Sequence, residues 1–345
     1  MDYFAGIDGS LETANICIVD QDGTVLREEK VESTPEALID ALRRFRKPLK
    51  RIGLEAGPLS TWLYRELRQA GLTTILVETR HMKSALSAMR QKTDRNDARG
   101  IAQMMRMGWF RAVHAKSTDS QELRVLLTHR KTMIGKLIAI DNEIRGTLKA
   151  FGFKVGHTTR LTFERRVLEL VQGMPRLDSM TRPMLRVRAV LLTEIATLHR
   201  MVLKEVRHDP VCRRLMTIPG VGPLVALTYK TGVDMPERFA RSSDVGVHFG
   251  LTPRRYASGA TDVSGSISKC GDGMVRTALY EAASVMIHHG RRWSALKAWA
   301  MKLAKRAGLK RAKVALARKL AVVMHRMWLD GTDFRWTSEQ QAVRA

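Results

Sequence analysis

Four carboxylates stand out as groups that could do chemistry together. Asp94 and Asp97 lie three residues apart in Lys92-Thr93-Asp94-Arg95-Asn96-Asp97-Ala98-Arg99-Gly100. Asp8 ends the apolar run of Gly6-Ile7-Asp8-Gly9-Ser10, and Glu55 ends that of Ile52-Gly53-Leu54-Glu55-Ala56-Gly57. Carboxylates turned toward a core repel one another and lose hydration, so a cation or a proton must accompany them. Every donor is a hard oxygen, which suits magnesium. Such a set could hold two ions roughly 4 Å apart, the arrangement that stabilises attacking and leaving oxygens in phosphoryl transfer. Simpler roles stay open: Asp94 as a helix cap, Asp97 as an acid at the positive end of a helix, Asp8 as a turn cap, Glu55 as partner to Arg80.

The second reactive candidate is a serine. Phe249-Gly250-Leu251-Thr252-Pro253-Arg254-Arg255-Tyr256-Ala257-Ser258-Gly259 and Gly265-Ser266-Ile267-Ser268-Lys269-Cys270-Gly271-Asp272 are rich in Gly, Ser and cations and poor in apolar residues. They read as exposed loop or a short hairpin. A serine among small residues, with Arg254, Arg255 and Lys269 nearby, has room to approach a phosphodiester whose charge those cations offset. Composition alone favours a flexible basic loop, and it does not choose among Ser258, Ser264, Ser266 and Ser268.

These groups need elements to hold them. Thr93 or Asp94 is a good N-cap, and Ala98, Ile101, Ala102, Met104 and Met105 recur at helical spacing, which predicts a helix from Asp94 to Met107. Strands are expected at 3–8, 14–19, 24–31, 51–55 and 73–77, helices at 35–45 and 58–70, and a hairpin turn at Asp22-Gly23. A three-strand meander followed by alternating helix and strand is the order of a ribonuclease H-like α/β fold, and it sets Asp8 and Glu55 at the carboxyl ends of strands, where open α/β sheets place ligands. Downstream, Leu123, Leu126, Leu127, Met133, Ile134, Leu137, Ile140, Ile144 and Leu148, then Val187, Val190, Leu191, Ile195, Leu198 and Val202, predict two long amphipathic helices in an antiparallel hairpin or coiled coil. The expected organisation is an α/β domain over 1–115, an all-α spacer over 116–205, a mostly helical domain over 206–330 and a tail over 331–345.

Composition narrows the partner. The chain has 345 residues with 59 Lys+Arg against 34 Asp+Glu, a formal charge of +25. Such a surplus points to a polyanion, nucleic acid first. Between Ala282 and Leu329 there is no acidic residue, while Lys302, Lys305, Arg306, Lys310, Arg311, Lys313, Arg318 and Lys319 fall there on two helices broken near Gly308. Sequence-independent, salt-sensitive phosphate contact accounts for this better than solubility does. Pro219-Gly220-Val221-Gly222-Pro223 resembles the turn of a helix-hairpin-helix, whose N–H groups at Gly220 and Gly222 hold a DNA phosphate without reading sequence; packing without DNA contact is the alternative. No apolar run is long enough to cross a membrane, and the isolated Cys17, Cys212 and Cys270 suit a reducing cytoplasm rather than disulfides or zinc. The Gly-Ile-Asp-Gly-Ser opening is also that of actin-like and sugar-kinase ATPases, but no second Gly-rich phosphate loop and no P-loop follow.

Asp8, Glu55 and the Thr93-Asp94-Arg95-Asn96-Asp97-Ala98 block resemble the acidic tetrad of the insertion-sequence-110 family of transposases, themselves similar in this domain to the Holliday-junction resolvase RuvC. The resemblance runs through Met107-Gly108-Trp109-Phe110-Arg111 and covers nearly the whole chain. It implies a bacterial cytoplasmic DNA recombinase with a RuvC-like domain and a serine-bearing transposase domain. Ser258 is then the nucleophile that forms a phosphoserine link to DNA, assisted by Mg2+ on the tetrad. Many members carry a second serine where this chain has Ala257. Also implied are a structured guide RNA (the bridge RNA) pairing with donor and target double-stranded DNA, and dimerisation through the long helices, with a tetramer also open. Two alternatives remain: a metal-dependent junction nuclease using water, and a non-catalytic nucleic-acid-binding protein.

Overall fold

The structure is a computed structural model that describes residues 1–86, 93–259, 261–289 and 292–337; Lys92, Arg291 and the end of the tail from residue 338 lie outside the described residues. The chain divides into two compact units, Met1–Lys116 and Ser117–Ala345.

In the first unit, β1 (Tyr3–Gly9), β2 (Thr13–Val19) and β3 (Val25–Glu32) form an antiparallel meander, followed by α1 (Pro35–Arg43), β4 (Leu49–Glu55), α2 (Ser60–Gln69), β5 (Thr74–Val77), α3 (Thr79–Leu86) and α4 (Asp94–Met107). The sheet order is β3-β2-β1-β4-β5, with β4 parallel to β1 and β5 parallel to β4. This is the ribonuclease H-like order expected from the sequence, and α3 is an addition to it. Alternation along the strands builds two cores. Ala5, Ile7, Ile16, Ile18 and Leu54 pack with Leu38, Leu42, Leu63 and Leu67 of α1 and α2. On the opposite face Phe4, Cys17, Val19 and Val77 pack with Ala98, Ile101, Ala102, Met104 and Met105 of α4.

Helix α4 begins where Thr93 accepts a hydrogen bond from the Asn96 N–H, and it ends at Gly108 in the left-handed conformation. Its approach to the sheet depends on two glycines. Gly6 and Gly53 are register partners on β1 and β4. A Cβ on Gly6 would stand 2.2 Å from the Ala98 carbonyl oxygen and 2.4 Å from the Ala102 nitrogen. A Cβ on Gly53 would meet the Ile101 Cγ2 at 2.5 Å and the Met105 Cγ at 2.9 Å, which are side-chain atoms. Backbone cannot yield as side chains can, so Gly6→Ala is expected to cost about 3 kcal/mol and Gly53→Ala about 1 kcal/mol. Urea unfolding midpoints check this; equal midpoints for the two variants would contradict the close approach.

In the second unit, α5 (Thr118–Ala150) and α7 (Pro175–His208) run antiparallel, with α6 (Phe163–Val171) packed at the far end. Their near ends, through Leu126, Leu127, Val202 and Val206, join one core with α8 (Pro210–Leu215), α9 (Pro223–Val233), α10 (Ser242–His248), α11 (Gly273–His288), α12 (Ala295–Ala307) and α13 (Leu309–Asp330). Val187 and Val190, read as part of the inward stripe of α7, are instead 52% and 61% exposed. The inward position between them belongs to Arg188, which is buried, pairs with Asp141 at 2.7 Å and lies over the Phe163 ring. The exposed hairpin of β6 (Pro253–Ser258) and β7 (Thr261–Ile267) leaves this helical body. After α13 the chain packs back, with Phe334 in the core and the Ala295 N–H donating to the Trp336 carbonyl.

Candidate active site and nucleic-acid interface

Asp8 and Glu55 each lie two residues beyond one of the glycines that admit α4, so by strand alternation they share the face α4 covers. Asp94 and Asp97 sit about one helical turn before Ala98 and Ile101, the residues seated on those glycines. The saddle thus brings Glu55, Asp94 and Asp97 within electrostatic reach of Asp8. Burial, then the carboxylates of Glu55, Asp94 and Asp97, and a hydrogen bond with Glu55, push the Asp8 carboxyl up from 3.8 to about 7. Asp8, Glu55 and Asp97 are half-buried, while Asp94 is exposed at the rim rather than turned toward the core.

Among the described residues no three His, Cys, Asp or Glu side chains are drawn into a closed metal-binding group. Four hard oxygen donors and the raised carboxyl of Asp8 fit a hard divalent cation, which Asp8, Glu55, Asp94 and Asp97 would hold.

A clamp that the sequence reading missed holds α4 in place. Glu28 on β3 accepts from Arg95 and Arg99, two residues one turn apart on α4. Arg99 first, then Arg95, hold the Glu28 carboxyl down at about 2. At the other end Gln103 donates to the Gly23 carbonyl and Arg106 to that of Gln21. The i, i+4 pairing of Arg95 and Arg99, and the Gly-x-acid spacing shared by Gly6-Ile7-Asp8 and Gly53-Leu54-Glu55, were the available signals.

In the second unit Ser258 is exposed at the end of β6, paired in register with Thr261, and Gly259 follows at φ +55°. The predicted cations are differently employed. Arg255 is engaged by Asp262 through two hydrogen bonds of 2.8 and 2.7 Å, so its charge is compensated. Arg254 donates to the Ser268 carbonyl at 3.3 Å, and Lys269 takes a left-handed turn at φ +55°. Lys302, Lys305 and Arg306 on α12 and Lys310 and Arg311 on α13 are exposed.

The helix-hairpin-helix turn splits by role. Gly220, at φ +88°, packs against α11, where a Cβ would meet the Ala282 carbonyl oxygen at 2.5 Å. Gly222 opens α9 with free space around its Cα. Packing therefore explains Gly220, and only Gly222 is placed as the phosphate reading requires.

Comparison with known proteins bears on both units. Residues 5–152 match the transposase family model DEDD_Tnp_IS110, and residues 212–298 match that of the transposase IS116/IS110/IS902 family. The transposase for insertion sequence element IS1111A of Coxiella burnetii is 30% identical over 328 residues, which is 92% of this chain and 87% of that protein. The transposase for insertion sequence element IS1328 of Yersinia enterocolitica is 25% identical over 237 residues, 68% of this chain and 70% of that protein. Among solved structures, T. thermophilus RuvC in complex with a Holliday junction aligns with 33% of this chain and 100% of its own, at 16% identity and a TM-score of 0.26. On the two family matches in order, and on the relative that spans nearly its full length, the chain belongs to the IS110 family of insertion-sequence transposases.

Proposed function

We propose that this chain excises and inserts DNA by serine chemistry, with Ser258 as nucleophile and Asp8, Glu55, Asp94 and Asp97 as the ligands of Mg2+. The observation that carries the reading is the gathering of carboxylates beside the Gly6–Gly53 saddle, where burial first and then Glu55, Asp94 and Asp97 raise Asp8 to about 7. A site that keeps such repulsion in its resting state is built for a cation and a phosphate rather than for stability. Bound magnesium would supply charge stabilisation at the phosphodiester.

In the chemical step the Ser258 Oγ forms a bond to phosphorus as the bond from phosphorus to a deoxyribose oxygen breaks. The serine proton ends on the freed sugar hydroxyl. One phosphodiester replaces another, so the reverse attack by a sugar hydroxyl rejoins a strand with no external energy source. The long helices α5 and α7 pair copies of the chain into a homodimer, or into a tetramer of two such dimers. A structured guide RNA selects the donor and target double-stranded DNA, consistent with a chain of +25 charge that shows no base-reading module.

A second reading, a metal-dependent nuclease with water as nucleophile, is favoured by one observation: Ser258 stands exposed to solvent at the end of β6. The proposal is tested by incubating the chain with labelled donor DNA, its element's flanking transcript and magnesium. Cutting at the element end is expected, with magnesium withdrawal stopping it and transcript withdrawal abolishing site choice. Cutting in excess chelator would contradict the metal role, and unchanged site choice without transcript would contradict the guide.

A further inference from the structure

A cleft of about 1050 Å3 lies between β7, α12 and α13, and no part of the acid cluster belongs to it. Ser264 and Ser266 of β7 line one wall, Lys310, Arg311, Arg318 and Lys319 of α13 the other, and Trp299 stands at the α12 side. Leu251, Ile267, Val314 and Val322 give the cleft an apolar lining, and none of the residues lining it is acidic.

The four cations are exposed and have no ion-pair partner among the described residues. Lys319 instead rests over the Trp299 ring, with its ammonium 4.3 Å from the centroid. A lysine held only by an aromatic face can exchange that contact for a phosphate and leave the ring to a planar group. An apolar lining, an aromatic ring and a cationic wall with no counter-charge suit one kind of ligand: an unpaired nucleotide with its flanking phosphates. A duplex cannot present a base to such a lining without opening.

We infer that this cleft receives an unpaired nucleotide of the DNA strand being processed, with its base against Trp299 and its phosphates on Lys310, Arg311 and Arg318. The inference rests on the reading of Ser258 as the residue that attacks DNA. Ser264 is the register partner of Arg255, three residues along β7 from Thr261 opposite Ser258. By strand rise the cleft begins about 10 Å from the Ser258 position, within a few nucleotides of the bond attacked. The cleft thus holds open the strand next to that bond, at the point where the end of β7 faces the cationic α13.

The test uses the full chain without magnesium and a short oligothymidylate carrying one 2-aminopurine, whose fluorescence falls on stacking with an aromatic ring. Quenching on binding is expected in the wild type, with affinity about tenfold weaker in Trp299→Leu and quenching lost. The double variant Lys310→Ser/Arg311→Ser changes only exposed side chains, and about tenfold weaker binding is expected there too. It keeps the test decisive if Trp299→Leu does not fold. Undiminished quenching and affinity in both variants, or equal affinity for the fully paired oligomer, would overturn the inference. Tighter binding of oligouridylate through the same residues would overturn its assignment to DNA. Quenching through Trp299 by a chain that never becomes linked to DNA would retain the cleft and remove the Ser258 reading, and the converse result would remove the cleft alone.

Discussion

Asp8→Asn is expected to abolish strand cleavage, by about 10^3-fold or more, and at the same time to make the metal-free protein more stable. The two effects share one cause. In the resting site the Asp8 carboxyl is half-buried and lies near Glu55, Asp94 and Asp97, and the lost hydration first and then those charges raise it to about 7. A carboxyl raised this far above its ordinary value opposes folding increasingly as pH rises from about 4 through 7. A shift from 3.8 to about 7 corresponds to roughly 4 kcal/mol, and its half-solvated position reduces this to about 2 kcal/mol at pH 8. The neutral amide escapes the cost and loses a ligand. Chemical denaturation with and without magnesium reads both: Asp8→Asn should unfold at higher urea than wild type in chelator, and magnesium should stabilise only the wild type. A variant that is less stable than wild type in chelator would mean that the carboxylates are compensated in some other way.

Ser258→Ala is expected to remove cleavage and rejoining by at least about 10^3-fold, as loss of a nucleophile does, while leaving the fold untouched. The side chain is exposed at the end of a hairpin strand, so its unfolding midpoint should stay within about 0.5 kcal/mol of wild type. DNA binding should change little, because the substitution removes a hydroxyl and no positive charge. Single-turnover cleavage of labelled donor DNA checks the prediction. A Ser258→Ala protein that still cuts at wild-type rate would leave the acid cluster with water as its nucleophile.

The scaffold of the acid cluster was largely legible in the sequence because its local signals agree with the global fold. Thr93 as cap, the apolar spacing of α4 and Gly108 as terminator place that helix at Asp94–Met107 as expected. Strand alternation likewise puts Asp8 and Glu55 at strand ends. What stayed hidden depends on distance between segments. Gly6 and Gly53 look like ordinary strand glycines until α4 is seen lying on them, and Glu28 looks like a surface acid until Arg95 and Arg99 close on it. Arg188 misled in the opposite direction. An arginine counts as a solvent-facing residue in any hydrophobic pattern, so the stripe of α7 was drawn through Val187 and Val190, whereas Asp141 and Phe163 let the guanidinium take the inward position. The exposed hairpin of β6 and β7 is one of the two forms its Gly-, Ser- and cation-rich composition predicts, while the strand bounds and register had no burial pattern to mark them.

The central claim is that Ser258 becomes covalently joined to DNA. The most direct measurement is mass mapping of the nuclease-trimmed, trypsin-digested adduct formed with donor DNA, transcript and magnesium. Cleavage after Arg255 and Lys269 releases one peptide that carries Ser258, Ser264, Ser266 and Ser268, and fragmentation within it locates the nucleotide. The account predicts a deoxynucleotide phosphate on Ser258, absent from Asp8→Asn protein. Cleaved DNA with no modified peptide, or a nucleotide on one of the other three serines, would contradict it.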